Sequence, residues 1–171
     1  MRNLSKPAGI FTSSLILLGL LMGGCLEEDI NLEAKEKKER DKFLEEYNIT
    51  VEPTESGLYF IPLDTGYGDY PEIGDSVTIN FEGYLLDGRL LTTNIEAVAV
   101  EYDAYNPYET YGPYTFVLGT GHMIAGVEEG LSYMREGASA KMIIPSALSF
   151  PGSYRSLLYY VYFLDLPGSP D

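Results

Sequence analysis

In the middle of the chain Val77, Ile79 and Phe81 alternate with Thr78, Asn80 and Glu82, and Asp87-Gly88 follows shortly after. Successive side chains on a strand take opposite faces, so this alternation predicts a half-buried strand and the Asp-Gly pair a tight turn into an antiparallel partner. Further strand-like stretches are Gly57 to Pro62, Tyr114 to Leu118, Ala138 to Ile144 and Leu157 to Leu166. One stretch between them has helical spacing: Val127, Leu131 and Met134 fall at i, i+4 and i+7, with Glu128 and Glu129 near its start, where the helix dipole favours acids. The expected architecture is α+β, a curved antiparallel sheet of about five strands wrapped on one short helix.

The pattern before the strands is different in kind. Arg2 and Lys6 precede an apolar run from Ile10 to Met22, then Gly23, Gly24 and Cys25. A run of roughly 13 apolar or small residues is too short to cross ~30 Å of hydrocarbon as a helix, so residues 1–24 read as a cleaved signal peptide. The stretch LLMGGC resembles the lipobox of bacterial lipoproteins, with Met22 a weaker match than the usual branched residue. That resemblance implies lipidation of Cys25 and a cell-envelope location, on either side of an outer membrane. Residues 25–49 then turn abruptly charged, with Glu33 to Lys37 and Glu36 to Arg40 at helical pairing distance and Phe43, Leu44 and Tyr47 forming a narrow apolar face. They read as a lipid-anchored, solvated tether, helical toward its C-terminal half and docked through those three residues. Glu27-Glu28-Asp29 is similar to signals that send lipoproteins to the cell surface; a plain spacer is the alternative. Residues 50–171 remain as a single domain.

Charge narrows the choice of partner. From Cys25 onward there are 26 acids against 9 bases. Phosphate binding needs clustered Lys and Arg, so nucleic acid is excluded as a partner. Gly119-Thr120-Gly121 lacks the following βαβ pattern of a dinucleotide site. His122, the only histidine, has no second His or Cys to share a metal and reads as a turn residue. Glu128 and Glu129 are adjacent on a helix, point different ways, and do not form a glycosidase pair.

The order of motifs carries more. A strand and Asp-Gly turn precede Pro113-Tyr114-Thr115-Phe116-Val117-Leu118-Gly119, then Met123-Ile124-Ala125-Gly126-Val127-Glu128-Glu129-Gly130-Leu131, then Ile144-Pro145. Over about Gly57 to Leu166 this resembles the FKBP-type peptidyl-prolyl isomerases. The resemblance implies proline-containing segments of exported proteins as partners and no cofactor. It places Phe81, Ile124, Phe150 and Tyr159 in catalytic positions and Leu91, Thr92, Tyr114, Phe116, Met123 and Val127 in substrate-binding ones, with the Ile124 N–H donating to the substrate carbonyl.

Four departures from the family pattern imply weakened turnover. Leu91-Thr92 stands for the usual Phe-Asp, Val127 for the usual floor tryptophan, and Phe150 for a tyrosine; the loop between Phe150 and Tyr159 is also short. A further difference is an insertion between Thr93 and Pro113, in which Tyr102, Tyr105, Tyr108, Tyr111 and Tyr114 recur every third residue. That period fits an extended or 3₁₀ run, offering either a peptide or glycan platform or a loop that packs its own rings. Two functions follow: an envelope isomerase, or an inactive domain of the same fold that binds peptides as a chaperone or assembly subunit.

Overall fold

The alternating stretch forms strand β2, Ser76–Leu85, in the computed structural model, which describes residues 31–166. Strands β1 (Tyr59–Asp64), β3 (Leu90–Thr93), β4 (Tyr114–Val117), β5 (Ser139–Ile144) and β6 (Leu157–Asp165) join it in one antiparallel sheet of order β1-β5-β6-β2-β3. Both β3 and β4 pair with the same edge of β2, β4 along Ser76 to Ile79 and β3 along Glu82 to Tyr84. The sheet therefore holds six strands but is five strands wide.

Period-two alternation gives the sheet two usable faces. On the inner face Val77, Ile79, Ala140, Met142, Ile144, Val161 and Phe163 are fully or almost fully buried against helix α3, Ala125–Leu131, whose Val127 and Leu131 are also sealed. Two glycines let α3 come this close. A Cβ on Gly126 would run into the branched side chain of Ile144, and one on Gly130 into the end of Met142.

The outer face is covered as well. Helix α1, Leu32–Glu46, starts where the Asn31 side chain accepts the Ala34 N–H at 3.0 Å. It stops at Asn48, whose φ of 51° suits a residue that tolerates the left-handed region, and the Ile49 N–H returns to the Leu44 carbonyl. Phe43 packs with Tyr84, Ile143 and Leu158, and Lys141 lies 5.7 Å from its ring.

This helix differs from the solvated one expected. It begins earlier, and although Phe43 and Leu44 dock as expected, Tyr47 is 56% exposed and Glu36, at 6% exposure, is a second, polar anchor as deep as Phe43 at 7%. The Glu36 carboxylate accepts the Ser146 N–H at 2.8 Å, the Ser146 hydroxyl at 2.6 Å and the Ser156 hydroxyl at 2.8 Å. Arg40, 3.7 Å away, completes the cluster. The expected pairing of Glu33 with Lys37 gives way to Lys37 with Asp41 and Lys35 with Glu39.

The insertion departs from an extended run too. It opens with a short helix α2, Glu96–Glu101, which buries Ala99. Its rings then pair off: Tyr102 on Tyr84, Tyr105 stacked on Tyr111 at 5.5 Å, Tyr114 on Phe116, while Tyr108 is 94% exposed. Five phenols on one side do not form, because α2 and the left-handed Asp103 reset the chain direction. The expected leader and Cys25 lie outside the described residues, among which no helix is long and apolar enough to cross a membrane.

Two expectations follow. Although alanine normally improves a helix interior, Gly126→Ala should lose about 1–3 kcal/mol because Ile144 is branched and cannot withdraw, whereas Gly130→Ala should cost little because the flexible end of Met142 can; chemical denaturation of the two variants measures the contrast. The second concerns acid. Burial alone would raise the Glu36 pKa, but the hydrogen bonds from Ser146 and Ser156 and the charge of Arg40 outweigh it and hold the pKa below its ordinary value. A lowered folded pKa gives stability that is present above the unfolded pKa and is lost as pH falls through the folded one. Glu36→Gln should thus cost on the order of 2 kcal/mol at neutral pH, and its deficit should shrink as pH drops below about 4, read from urea midpoints across pH.

Candidate active site

Two rings, from neighbouring strands, define one wall. Register sets Phe81 opposite Val161 and Gly83 opposite Tyr159, so Phe81 and Tyr159 share the inner face and stack with centroids 6.3 Å apart and planes 25° apart. Tyr159 is 2% exposed, and burial pushes its phenol pKa up to about 12, so the ring stays neutral at physiological pH. The missing side chain at Gly83 matters here. A Cβ there would stand 2.6 Å from Cζ of Tyr159 and 2.9 Å from its oxygen, so the ring occupies space that only glycine leaves open. The Tyr159 hydroxyl makes no hydrogen bond to the described residues.

The backbone of Phe81 is fixed from the other edge. Between β3 and β4 the ladder beside β2 has a gap, and side chains fill it. The Asn94 carbonyl oxygen accepts the Phe81 N–H at 2.8 Å, and the Thr93 hydroxyl donates to the Phe81 carbonyl at 2.8 Å. Asn94 also donates to the Ile79 and Gly112 carbonyls, at 3.0 and 2.8 Å, and is 7% exposed.

The floor and rim come from α3 and the turn before it. Val127 is fully buried in the apolar cluster to which Phe116 and Tyr159 belong and on which Phe81, Met123 and Ile124 pack. Glu128 clasps the turn: its carboxylate accepts the Gly119 N–H at 3.0 Å and the Met123 N–H at 3.1 Å. With those two satisfied, the next N–H, that of Ile124, is left without a partner among the described residues. Ile124 is extended at φ −60°, ψ 144° and its carbonyl already starts α3 by accepting Val127 and Glu128 N–H groups. A free donor thus sits at the start of α3, on a residue that packs against the apolar cluster.

The structure gathers six of the expected residues: Phe81, Phe116, Met123, Ile124, Val127 and Tyr159. Tyr114 joins at the margin, 36% exposed and stacked 5.6 Å from Phe116. Thr92 pairs with Gly83 and so borders the Tyr159 face. Leu91 falls outside the cluster. Gly83 pairs with Thr92 and Tyr84 with Leu90, so Leu91 is the extra residue of a bulge and is 47% exposed. Phe150 is outside it as well, 52% exposed at the crest of the loop that joins β5 to β6. His122 lies on the turn, its Nδ1 2.6 Å from the Thr120 hydroxyl. Sequence reasoning missed Gly83, Asn94 and the clasp by Glu128. Only Gly83 left a signal, as the one gap among the large inner-face residues of β2, Val77, Ile79, Phe81 and Leu85.

Comparison with known proteins agrees with this geometry. The family described as FKBP-type peptidyl-prolyl cis-trans isomerase matches residues 68–156, more than half of the chain. The chain is 31% identical over 145 residues to the FKBP-type peptidyl-prolyl cis-trans isomerase FkpA of Escherichia coli strain K12, a match covering 81% of this chain and 47% of that protein. It is 28% identical over 94 residues to the FK506-binding protein of Neisseria meningitidis serogroup B, covering 55% of this chain and 74% of that one. The crystal structure of FkpA from Escherichia coli superimposes with a TM-score of 0.60 at 27% identity, over 78% of this chain and 58% of that one. The chain spans about half the length of FkpA. The register of the inner-face aromatics, the turn into α3 and the match over residues 68–156 agree, and the chain belongs to the FKBP-type peptidyl-prolyl cis-trans isomerase family.

Proposed function

We propose that this protein is a peptidyl-prolyl cis-trans isomerase of the cell envelope that acts, with weakened turnover, on proline-containing segments of exported proteins. The observation that carries the reading is the unpartnered N–H of Ile124, a residue that packs on the same apolar cluster as the stacked Phe81–Tyr159 pair. Rotation about an X-Pro bond is opposed by amide resonance, with a barrier of roughly 18–20 kcal/mol, and needs no proton transfer or metal to proceed. What it needs is a site that holds the twisted amide better than the planar one. In this reading the rings of Phe81 and Tyr159 grip the pyrrolidine over Val127, and the Ile124 N–H donates to the carbonyl beside the proline, where a fixed donor in a dry setting is most effective. Tyr159, neutral and without an internal partner, offers its hydroxyl to the peptide.

Weak turnover follows from what the margin lacks. Thr92 supplies no carboxylate beside Gly83, Leu91 is displaced onto a bulge, and Phe150 stands off the cluster. The exposed Leu91, Phe150 and Tyr114 also favour a second reading, an inactive domain of this fold that holds apolar peptides as a chaperone or assembly subunit. The envelope location rests on the sequence of the leader alone, with Cys25 as the lipidated residue.

Purified protein should speed isomerisation of a short X-Pro peptide, measured by exchange spectroscopy. Gly83→Ala should lower kcat/KM by about tenfold or more by displacing the Tyr159 ring, and Tyr159→Ala should do the same. A parent with no activity that still binds unfolded chains would replace the isomerase with the chaperone reading. Separately, Cys25→Ser expressed in a bacterial host should leave the membrane fraction; retention there would end the lipid-anchor proposal.

A further inference from the structure

The loop from Ser146 to Ser156 joins β5 to β6 and carries Leu148, which packs on the central cluster, and the exposed Phe150. Its first residue follows β5 directly but for Pro145, and its last precedes β6, three positions before Tyr159. Both ends meet one side chain. Glu36 of α1 accepts the Ser146 N–H and hydroxyl with its two oxygens and the Ser156 hydroxyl with one of them, and the Arg40 guanidinium donates to the same Ser156 oxygen at 3.1 Å. All four groups are buried or nearly so: Glu36 and Arg40 side chains are 8% and 15% exposed, Ser146 7% and Ser156 4%.

Between its ends no hydrogen bond joins the loop to α1 among the described residues. A cavity of about 530 Å³ separates Leu32, Lys35 and Glu39 on the helix from Gly152, Ser153, Tyr154 and Arg155 on the loop. Tyr154 is itself in the left-handed region, at φ 51°, a conformation costly for a bulky residue. Leu148 is held by the apolar cluster, and on the side facing α1 the hydrogen bonds at the two ends of the loop set its position.

We propose that Glu36 is a positioning residue for the candidate active site: one carboxylate, delivered by a helix outside the region the family match covers, clamps both ends of the Ser146–Ser156 loop and so holds in place the segment that carries Leu148 onto the apolar cluster. The effect on catalysis rests on the isomerase reading; the clamp itself does not. Because the loop frames the site without touching the reacting amide, the clamp governs how well substrate is held more than how fast the bound amide turns.

The test compares Glu36→Gln, the milder Ser156→Ala and, as a control, Phe43→Ala, which loosens α1 on the outer face away from the loop. Hydrogen exchange read by mass spectrometry should quicken at least tenfold in peptides spanning residues 146–156 for Glu36→Gln, less for Ser156→Ala, and hardly for Phe43→Ala. On an X-Pro peptide, KM should rise about fivefold in Glu36→Gln with kcat within twofold, while Phe43→Ala lowers the melting temperature and leaves KM alone. Unchanged exchange in the folded Glu36 or Ser156 variants overturns the clamp whatever the turnover. Faster exchange with KM unchanged, or an equal shift of KM in Phe43→Ala, overturns its role at the site. A parent without turnover overturns the isomerase reading and the positioning role together, and the exchange measurement then decides the clamp alone.

Discussion

The closeness of α3 to β5 is the constraint from which the site follows. With no room for a methyl between Gly126 and Ile144, the helix axis is drawn onto the sheet, and Val127, one residue on, is pressed to full burial under the aromatic wall. The N-terminus of the helix is placed by the same contact. Ile124 must then leave the turn extended, and Glu128, reaching back from the first turn, satisfies the two preceding loop amides rather than that of Ile124. An unfilled donor beside apolar rings is thus a consequence of backbone packing. No side chain has to be recruited to supply it.

Both faces of an antiparallel sheet can be wetted or covered, and here each cover has its own kind of attachment. The inner face is closed by volume, through aliphatic and aromatic groups that interlock with α3. The outer face is closed by Phe43 over Ile143 and Leu158 together with a buried carboxylate that answers three donors. The two attachments respond to different conditions. Apolar interlocking is indifferent to pH, whereas the carboxylate contact weakens in acid.

The centre of the sheet was legible because β2 alternates in sequence, while β5 and β6 were legible as apolar runs. Val77, Ile79 and Phe81 on one side and Asn80, Glu82 and Tyr84 on the other leave one way to lay β2 down. Phe81 and Tyr159, singled out by resemblance, come together through the register of β2 with β6. What was not legible has a physical reason in each case. Leu91 sits in an unbroken apolar pair, and a bulge that ejects one of two leucines leaves no mark in composition. Glu36 and Arg40 have the spacing of a surface pair, and the same spacing serves equally when the pair is buried, since burial depends on serines 110 and 120 residues away. The tyrosines of the insertion repeat every third residue, yet α2 and the turn at Asp103 break the run before the repeat can line a face.

Asn94 bonds to Gly112 twice over, through its own carbonyl and through its side-chain amide, while it also mends the ladder beside Phe81. The chain between them leaves the sheet and returns to it at nearly the same point. Such an excursion is thermodynamically cheap to lengthen or shorten, since closure entropy grows only slowly with loop length. Outside Ala99 and the Tyr102 ring on Tyr84, its tyrosines pack on one another or face solvent. The segment is therefore a place where new surface can be added to the sheet without disturbing the strand that carries Phe81, and one asparagine is the seam along which that surface is sewn on.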